Sequence, residues 1–172
     1  MEPKTITLPK TSSYVFEYSL LATSFLIPFL ISGPQLLTGT VVNSLLFLFI
    51  LQLRSRKVVP MIMLPSIGAL LNGILFGKFT IFLLYFLPFI WVSNYVLIYS
   101  FKGLLKKYPL ILSMAVSSFL KFVFLLSVAF IFSSMKLVPV IFMQLMGLFQ
   151  LYTALLGGIL ALGIYAIIKK KP

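Results

Sequence analysis

The 172-residue chain has no cysteine and no histidine, and its two acidic residues are both glutamates, Glu2 and Glu17. Each absence removes a class of chemistry. Without cysteine there is no disulfide framework, no thiolate nucleophile and no iron–sulfur or zinc–thiolate centre. Without histidine the commonest general base is missing. Two glutamates, one of them at the chain start, cannot build a carboxylate cage for a metal. No metal, no cofactor and no enzymatic activity are expected of such a chain.

Charge is scarce as well. Only 9% of the residues are charged and 61% are hydrophobic, whereas a soluble domain is about one quarter charged. The composition excludes a water-soluble globule. It also excludes disorder, because disordered segments are poor in apolar residues. What is present is the content of a small, all-α integral membrane protein.

A membrane-spanning helix needs about 20 mostly apolar residues. The chain offers six such stretches: Tyr14 to Ile31, Leu36 to Leu53, Val58 to Gly77, Phe79 to Phe101, Pro109 to Ser134 and Gly147 to Ile168. They are separated by Ser32-Gly33-Pro34, Arg54-Ser55-Arg56-Lys57, Lys78, Lys102 and the run around Lys136. The stretch from Leu137 to Met146 is apolar but too short to cross, and reads as an interfacial or re-entrant external segment. No basic region directly precedes the first span and no small-x-small cleavage site follows it, so it is expected to stay in the mature protein. The organisation expected is a cytoplasmic segment 1–13, one six-helix transmembrane domain over 14–168 and a basic tail 169–172.

The net charge of +12 first suggests nucleic acid. Its distribution says otherwise. With both termini in the cytoplasm, eleven of the fourteen basic residues lie inside: Lys4, Lys10, Arg54, Arg56, Lys57, Lys102, Lys106, Lys107, Lys169, Lys170 and Lys171. Only Lys78 and Lys136 lie outside, and Lys121 falls within the fifth span. This asymmetry is the positive-inside pattern of a multi-pass protein of the cell membrane. The charge then serves topology and contact with the lipid bilayer, with no nucleic acid as partner.

Polar residues inside spans are costly and mark either a function or a packing contact. Spans two and six open with the same element, Gln-Leu-x-Thr followed by a small residue, at Gln35 to Gly39 and Gln150 to Ala154. In the topology above both elements sit at external ends and at equal depth. Gln and Thr three residues apart share a helix face, so Gln35, Thr38, Gln150 and Thr153 are expected to converge on a ligand, together with Asn43 in span two. The competing reading is packing, which Gly73-x-x-x-Gly77 and Ala154-x-x-x-Gly158 fit well. Asn72 follows Pro65 and Asn94 follows Pro88, and prolines within spans mark backbone that often lines cavities. Both asparagines are therefore candidates for ligand contact or for packing bonds.

Lys121 is the sharpest feature. It stands near the middle of span five, about 18 Å from either end at 1.5 Å per residue. Ser113, Ser117 and Lys121 recur every fourth residue and form one polar stripe. Glu17 lies about 13 Å away in depth, too far for direct pairing. A mid-membrane ammonium without a carboxylate calls for an anionic ligand or a ring of amide and carbonyl oxygens. The competing role is a structural lysine that snorkels to a polar cavity.

Gly73-Ile-Leu-Phe-Gly77-Lys78-Phe79 superficially looks like a phosphate loop, but it lacks the spacing and the Ser or Thr after the lysine. The chain is not expected to hydrolyse ATP.

The polar elements in order are Pro34-Gln35-x-x-Thr38-Gly39-x-x-Val42-Asn43, Pro65 with Asn72-Gly73, Pro88-Phe89-Ile90 with Asn94, Lys121-Phe122, and Gln150-Leu-x-Thr153-Ala154-Leu-x-Gly157-Gly158. Over residues 14 to 168 this pattern resembles the substrate-binding S components of energy-coupling factor (ECF) transporters. The resemblance implies a six-helix subunit that captures a small vitamin-like solute from outside, with Gln35, Thr38, Asn43, Asn72, Asn94, Lys121, Gln150 and Thr153 at the site. It also implies partners in trans, a transmembrane coupling subunit and ATP-binding subunits. S components often carry Ala-x-x-x-Ala on the first helix for docking, where this chain has Ser19-x-x-x-Thr23. The nickel and cobalt relatives use histidines that this chain lacks. The alternative expectation is a structural or assembly subunit of a membrane complex, with no ligand of its own.

Overall fold

A computed structural model describes residues 10–31, 33–52, 58–73 and 75–170. The basic run Arg54 to Lys57, most of the N-terminal segment 1–13 and the end of the basic tail lie outside the described residues. Among the described residues the chain is all-helical. Six long helices are α1 (Lys10–Leu30), α2 (Gln35–Gln52), α3 (Val58–Asn72), α4 (Leu83–Leu104), α5 (Leu110–Ser134) and α7 (Leu148–Lys170), with a short α6 (Phe142–Leu145) and a 3-10 helix at Gly77–Phe82. The reason for helix throughout is solvent: in lipid every backbone donor and acceptor must be met within its own segment.

Among the described residues, four helical stretches are long and apolar enough to cross a membrane: Gln35–Gln52, Phe79–Leu104, Leu110–Ser134 and Phe142–Lys169. The apolar stretches Tyr14–Leu30 and Val58–Asn72 are shorter. The surface agrees with a lipid environment. Val15, Ile111, Phe130, Ile159 and Ile167 are all more than half exposed, an apolar coat that water would disfavour.

Two sequence expectations need correction here. Helix α3 stops at Asn72, not at Gly77. Gly73 takes φ 75° and Gly77 takes φ 56°, a left-handed conformation that glycine adopts without a Cβ clash and that ends a helix. The same observation removes Gly73-x-x-x-Gly77 as a helix-packing motif. Both glycines form the turn into the 3-10 helix, and a Cβ at either would meet nothing within 4 Å. Thr80 closes that turn: its Oγ1 accepts from the Phe76 amide at 2.9 Å and donates to the Gly77 carbonyl at 2.9 Å.

The six long helices pack as a closed ring in the order α1, α3, α4, α5, α7, α2, with α2 also reaching α3 and α4 across the interior. Two apolar clusters fill the ring. One gathers Leu45 to Phe49 of α2 with Met61, Leu97, Phe101, Met114 and Ala161. The other lies at the opposite end and gathers Ala69, Leu83, Phe86, Leu125, Phe142 and Met146. The segment between α5 and α7 does not cross the ring. It tucks Phe142 and Met146 completely out of solvent and stacks Phe142 on Phe86 at 5.2 Å. Between the two clusters, at the level of the helix midpoints, sits a layer of polar side chains.

Candidate functional site

The tightest helix pair brings this polar layer together. Helices α2 and α7 cross where their side chains are smallest. A Cβ on Gly157 would stand 2.7 Å from the Asn43 Cβ and 2.7 Å from the Thr40 carbonyl oxygen. A Cβ on Gly39 would stand 2.8 Å from the Thr153 methyl. The glycines let the two backbones approach, and that approach sets Asn43 facing the ring interior.

Asn43, on α2, then meets Lys121 of α5 and Asn94 of α4. The Lys121 ammonium donates to Asn43 Oδ1 at 2.7 Å and to Asn94 Oδ1 at 2.8 Å. All three side chains are at least 97% buried. The amides are aimed by their other ends. Asn43 Nδ2 donates to the Gly39 carbonyl at 2.9 Å and to Thr153 Oγ1 at 3.2 Å. Asn94 Nδ2 donates to the Ile62 carbonyl at 3.0 Å. Because a carbonyl only accepts, the Gly39 and Ile62 carbonyls fix which end of each amide faces the lysine. Thr153 completes the chain by donating to the Gln150 carbonyl at 3.1 Å. The Lys121 ammonium is thus met by two amide oxygens, one of the two alternatives its sequence position allowed, and not by Glu17.

This network floors a cavity of about 80 Å³. The wall is made by the C-terminal parts of α1 and α3, the N-terminal parts of α2, α4 and α7, the middle of α5 and the turn after α3. Gln35, Thr38, Asn43, Asn94, Lys121 and Gln150 line it, among apolar neighbours that include Val42, Pro65, Ala69 and Ile90. Two lining atoms lack a hydrogen-bond partner among the described residues, Thr38 Oγ1 and Gln35 Oε1. Gln35 spends its other end on the segment above the cavity, where Nε2 donates to the Leu145 carbonyl at 2.7 Å. Met146 beside that contact also faces the cavity.

The other candidates stand elsewhere. Thr153 is behind Asn43, not on the wall. Asn72 joins the end of α3 to the end of α1, donating from Nδ2 to the Phe29 carbonyl at 2.8 Å, and is not among the cavity residues. In the polar stripe of α5 only Lys121 reaches the cavity. Ser117 donates back to the Ser113 carbonyl at 2.8 Å and Ser113 to the Pro109 carbonyl at 3.1 Å, so both serve their own helix. The repeated Gln-Leu-x-Thr elements are therefore alike in sequence but not in role: both glutamines line the cavity, and only one threonine does.

Sequence reasoning passed over Ser66 and Trp91. Trp91 Nε1 donates to Ser66 Oγ at 2.8 Å, which ties α4 to α3 next to the cavity wall. The available signal was the Pro65-Ser66 pair, a polar residue directly after an intrahelical proline. Pro28, the third proline inside a helix, also lines the cavity.

The wall offers the Lys121 ammonium, the unpartnered Thr38 hydroxyl and Gln35 amide oxygen, and the Gln150 carboxamide. Among the described residues no group of histidine, cysteine or carboxylate side chains is placed to hold a metal ion. No family model matches the chain, and neither a curated protein nor a solved structure matches it.

Proposed function

We propose that the protein is a membrane-embedded solute-binding subunit, similar to the S component of an ECF-type importer, which captures a small solute from outside the cell. It crosses the cell membrane six times with both termini in the cytoplasm. The observation that carries this reading is the cavity floored by Lys121, with Thr38 Oγ1 and Gln35 Oε1 buried and unpartnered on its wall. A buried polar atom without a partner costs free energy, and a solute that meets it offsets that cost.

The charge pattern supports the orientation. Lys78 and Lys136 belong to the turns at the cavity end, while Lys102, Lys106, Lys107 and Lys169 belong to helix ends and turns at the other. With the basic end inside, the cavity faces outward. Partners in trans, a transmembrane coupling subunit with ATP-binding subunits, supply the energy that this chain has no motif to harvest. The exposed stripe Val15, Ser19, Ala22 and Leu26 on α1 supports docking, since small residues admit a partner helix closely.

A second reading is favoured by the closure of the Lys121 network on protein oxygens. There the protein is an assembly subunit and the polar layer only holds its helices together. The two readings differ in one measurement. A solute that binds the folded state raises its thermal stability, so purified protein should be stabilised by material that co-purifies with it and is identified by native mass spectrometry. Absence of any bound compound and of any stabilisation favours the assembly subunit. Orientation is checked in whole cells with single cysteines, which the natural chain lacks: Ser134→Cys should react with a membrane-impermeant thiol reagent and Lys106→Cys should not.

A further inference from the structure

The cavity's polar atoms differ in chemistry and are spread in depth, and together they restrict the solute. Among the described residues Lys121 is its only formally charged lining residue. Two of the three ammonium hydrogens are engaged by Asn43 and Asn94, which leaves one. The asparagine oxygens satisfy hydrogen bonds without cancelling the positive charge. Asn43 Nδ2 has both hydrogens engaged, by the Gly39 and Thr153 acceptors, and Asn94 Nδ2 has one, by the Ile62 carbonyl. The floor therefore offers a solute one ammonium N–H and the second N–H of Asn94, with one formal positive charge.

Higher on the wall, Thr38 Oγ1 is an unpartnered hydroxyl on a side chain only 2% exposed. Gln35 Oε1 is an acceptor, because its amide orientation is set by the bond from Nε2 to the Leu145 carbonyl. Along α2, Thr38 lies about 7.5 Å and Gln35 about 12 Å from the level of Asn43. The space joining these levels is narrow. Drug-sized ligands occupy pockets of about 300–1,000 Å³, while this cavity measures about 80 Å³. Between the polar atoms the wall is apolar, with Val42, Ala69 and Ile90.

We propose that the solute is a slender organic monoanion, with a carboxylate at Lys121 and a hydrogen-bonding group further along that meets Thr38 and Gln35. This rests on the solute-binding reading and narrows it. A phosphate ester fits poorly, since it brings a charge of about −1.5 to −2 to a floor with a single formal cation. A cation is repelled by Lys121. A neutral solute leaves the buried charge unbalanced.

The test uses the full chain, purified, with four-carbon probes that share a body and differ in head group: butyrate, butyramide, butylammonium and butyl phosphate. Thermal unfolding is followed against probe concentration, and co-purified compounds are read by native mass spectrometry. Butyrate should stabilise at about tenfold lower concentration than butyramide, as a charge-assisted hydrogen bond implies, and the other two should act no better than butyramide. γ-Hydroxybutyrate should outperform butyrate. That advantage should shrink in Thr38→Val, a variant that removes a hydroxyl bonded to nothing in the protein and so should keep its own stability. Lys121→Met should abolish the preference for the acid; if it does not fold, Thr38→Val alone carries the test. Equal or better stabilisation by butyramide, butylammonium or butyl phosphate overturns the proposal. A co-purified acid supports it even where the four-carbon probes are silent. A co-purified neutral or cationic compound overturns it while leaving solute binding intact. No compound and no stabilisation by any probe overturns both.

Discussion

Beside α2 one end of the helix ring is filled and the other holds a cavity, and the same helix runs through both. From Ser44 to Phe49, α2 is buried at every position, so it touches protein all round. Phe47 packs edge-on against Phe101 at 4.9 Å, and the surrounding Leu46, Met61 and Leu97 close the space. From Gln35 to Asn43 the same helix carries Thr38, Gly39 and Asn43 inward, and the rest of the cavity wall includes Pro65, Ala69 and Ile90. Both ends are enclosed by the same ring. The difference lies along α2: beside Leu45 to Phe49 large side chains close the space, while beside Thr38, Gly39 and Asn43 the wall is small or polar and two aromatics of that end, Phe86 and Phe142, stack on each other instead. A cavity here is built by residues that are too small, set against neighbours that the ring cannot draw closer.

Substitutions sharpen that comparison. The largest loss is expected for Phe101→Ala in the filled end, about 3 kcal/mol or more, because the filled surroundings cannot collapse into the void. Ile90→Ala, beside the existing cavity, should cost clearly less. Thermal unfolding in detergent compares the two, and equal losses would mean that the ends are packed alike.

Next is the polar layer between the ends. Asn43→Leu removes one of two oxygens from a buried ammonium and should cost about 2–3 kcal/mol. Adding Lys121→Met to that variant should restore most of the stability, because the charge that lost its partner is gone. A double variant no better than Asn43→Leu would show that the pair does not act as a unit.

A smaller effect is expected at the α2–α7 crossing. Gly157→Ala must separate backbones that leave no room for a Cβ, at about 1–2 kcal/mol. It should also weaken solute binding, since it shifts Asn43. Unchanged stability and binding would mean that the crossing does not position the floor.

The smallest effect belongs to Ser44→Ala at the top of the filled end. The Ser44 hydroxyl is buried with no partner, so its removal should change stability by no more than about 0.5 kcal/mol, or raise it. A loss above about 1 kcal/mol would reveal a partner that the static structure lacks.

Much of the architecture was legible in the residues. Apolar runs bounded by Ser32-Gly33-Pro34, by Lys102 and by Lys136 matched helices to within a few residues at most ends. The short apolar stretch before α7 was too brief to cross, and it folds into a small helix against Phe86. The end of α3 was not legible, because an apolar run through Gly73 and Gly77 looks the same whether its glycines pack helices or turn the chain. Only backbone conformation separates those cases. The polar candidates were legible as a set, for a polar side chain among apolar ones is conspicuous. Their grouping was not. Asn72 and Asn94 both follow a proline, yet one joins helix ends and the other faces Lys121.

The sequence by itself determined the helical class, the apolar coat and the uneven spread of charge. These follow from composition and from runs of neighbouring residues, which lipid selects locally. Tertiary structure alone decided that α2 lies beside α7, that Gly157 admits Asn43 to the interior, and that Lys121 finds two amide oxygens instead of a carboxylate. Contacts of that kind depend on how helices distant in sequence cross. The crossing is set by which small residues meet, and no local pattern encodes it.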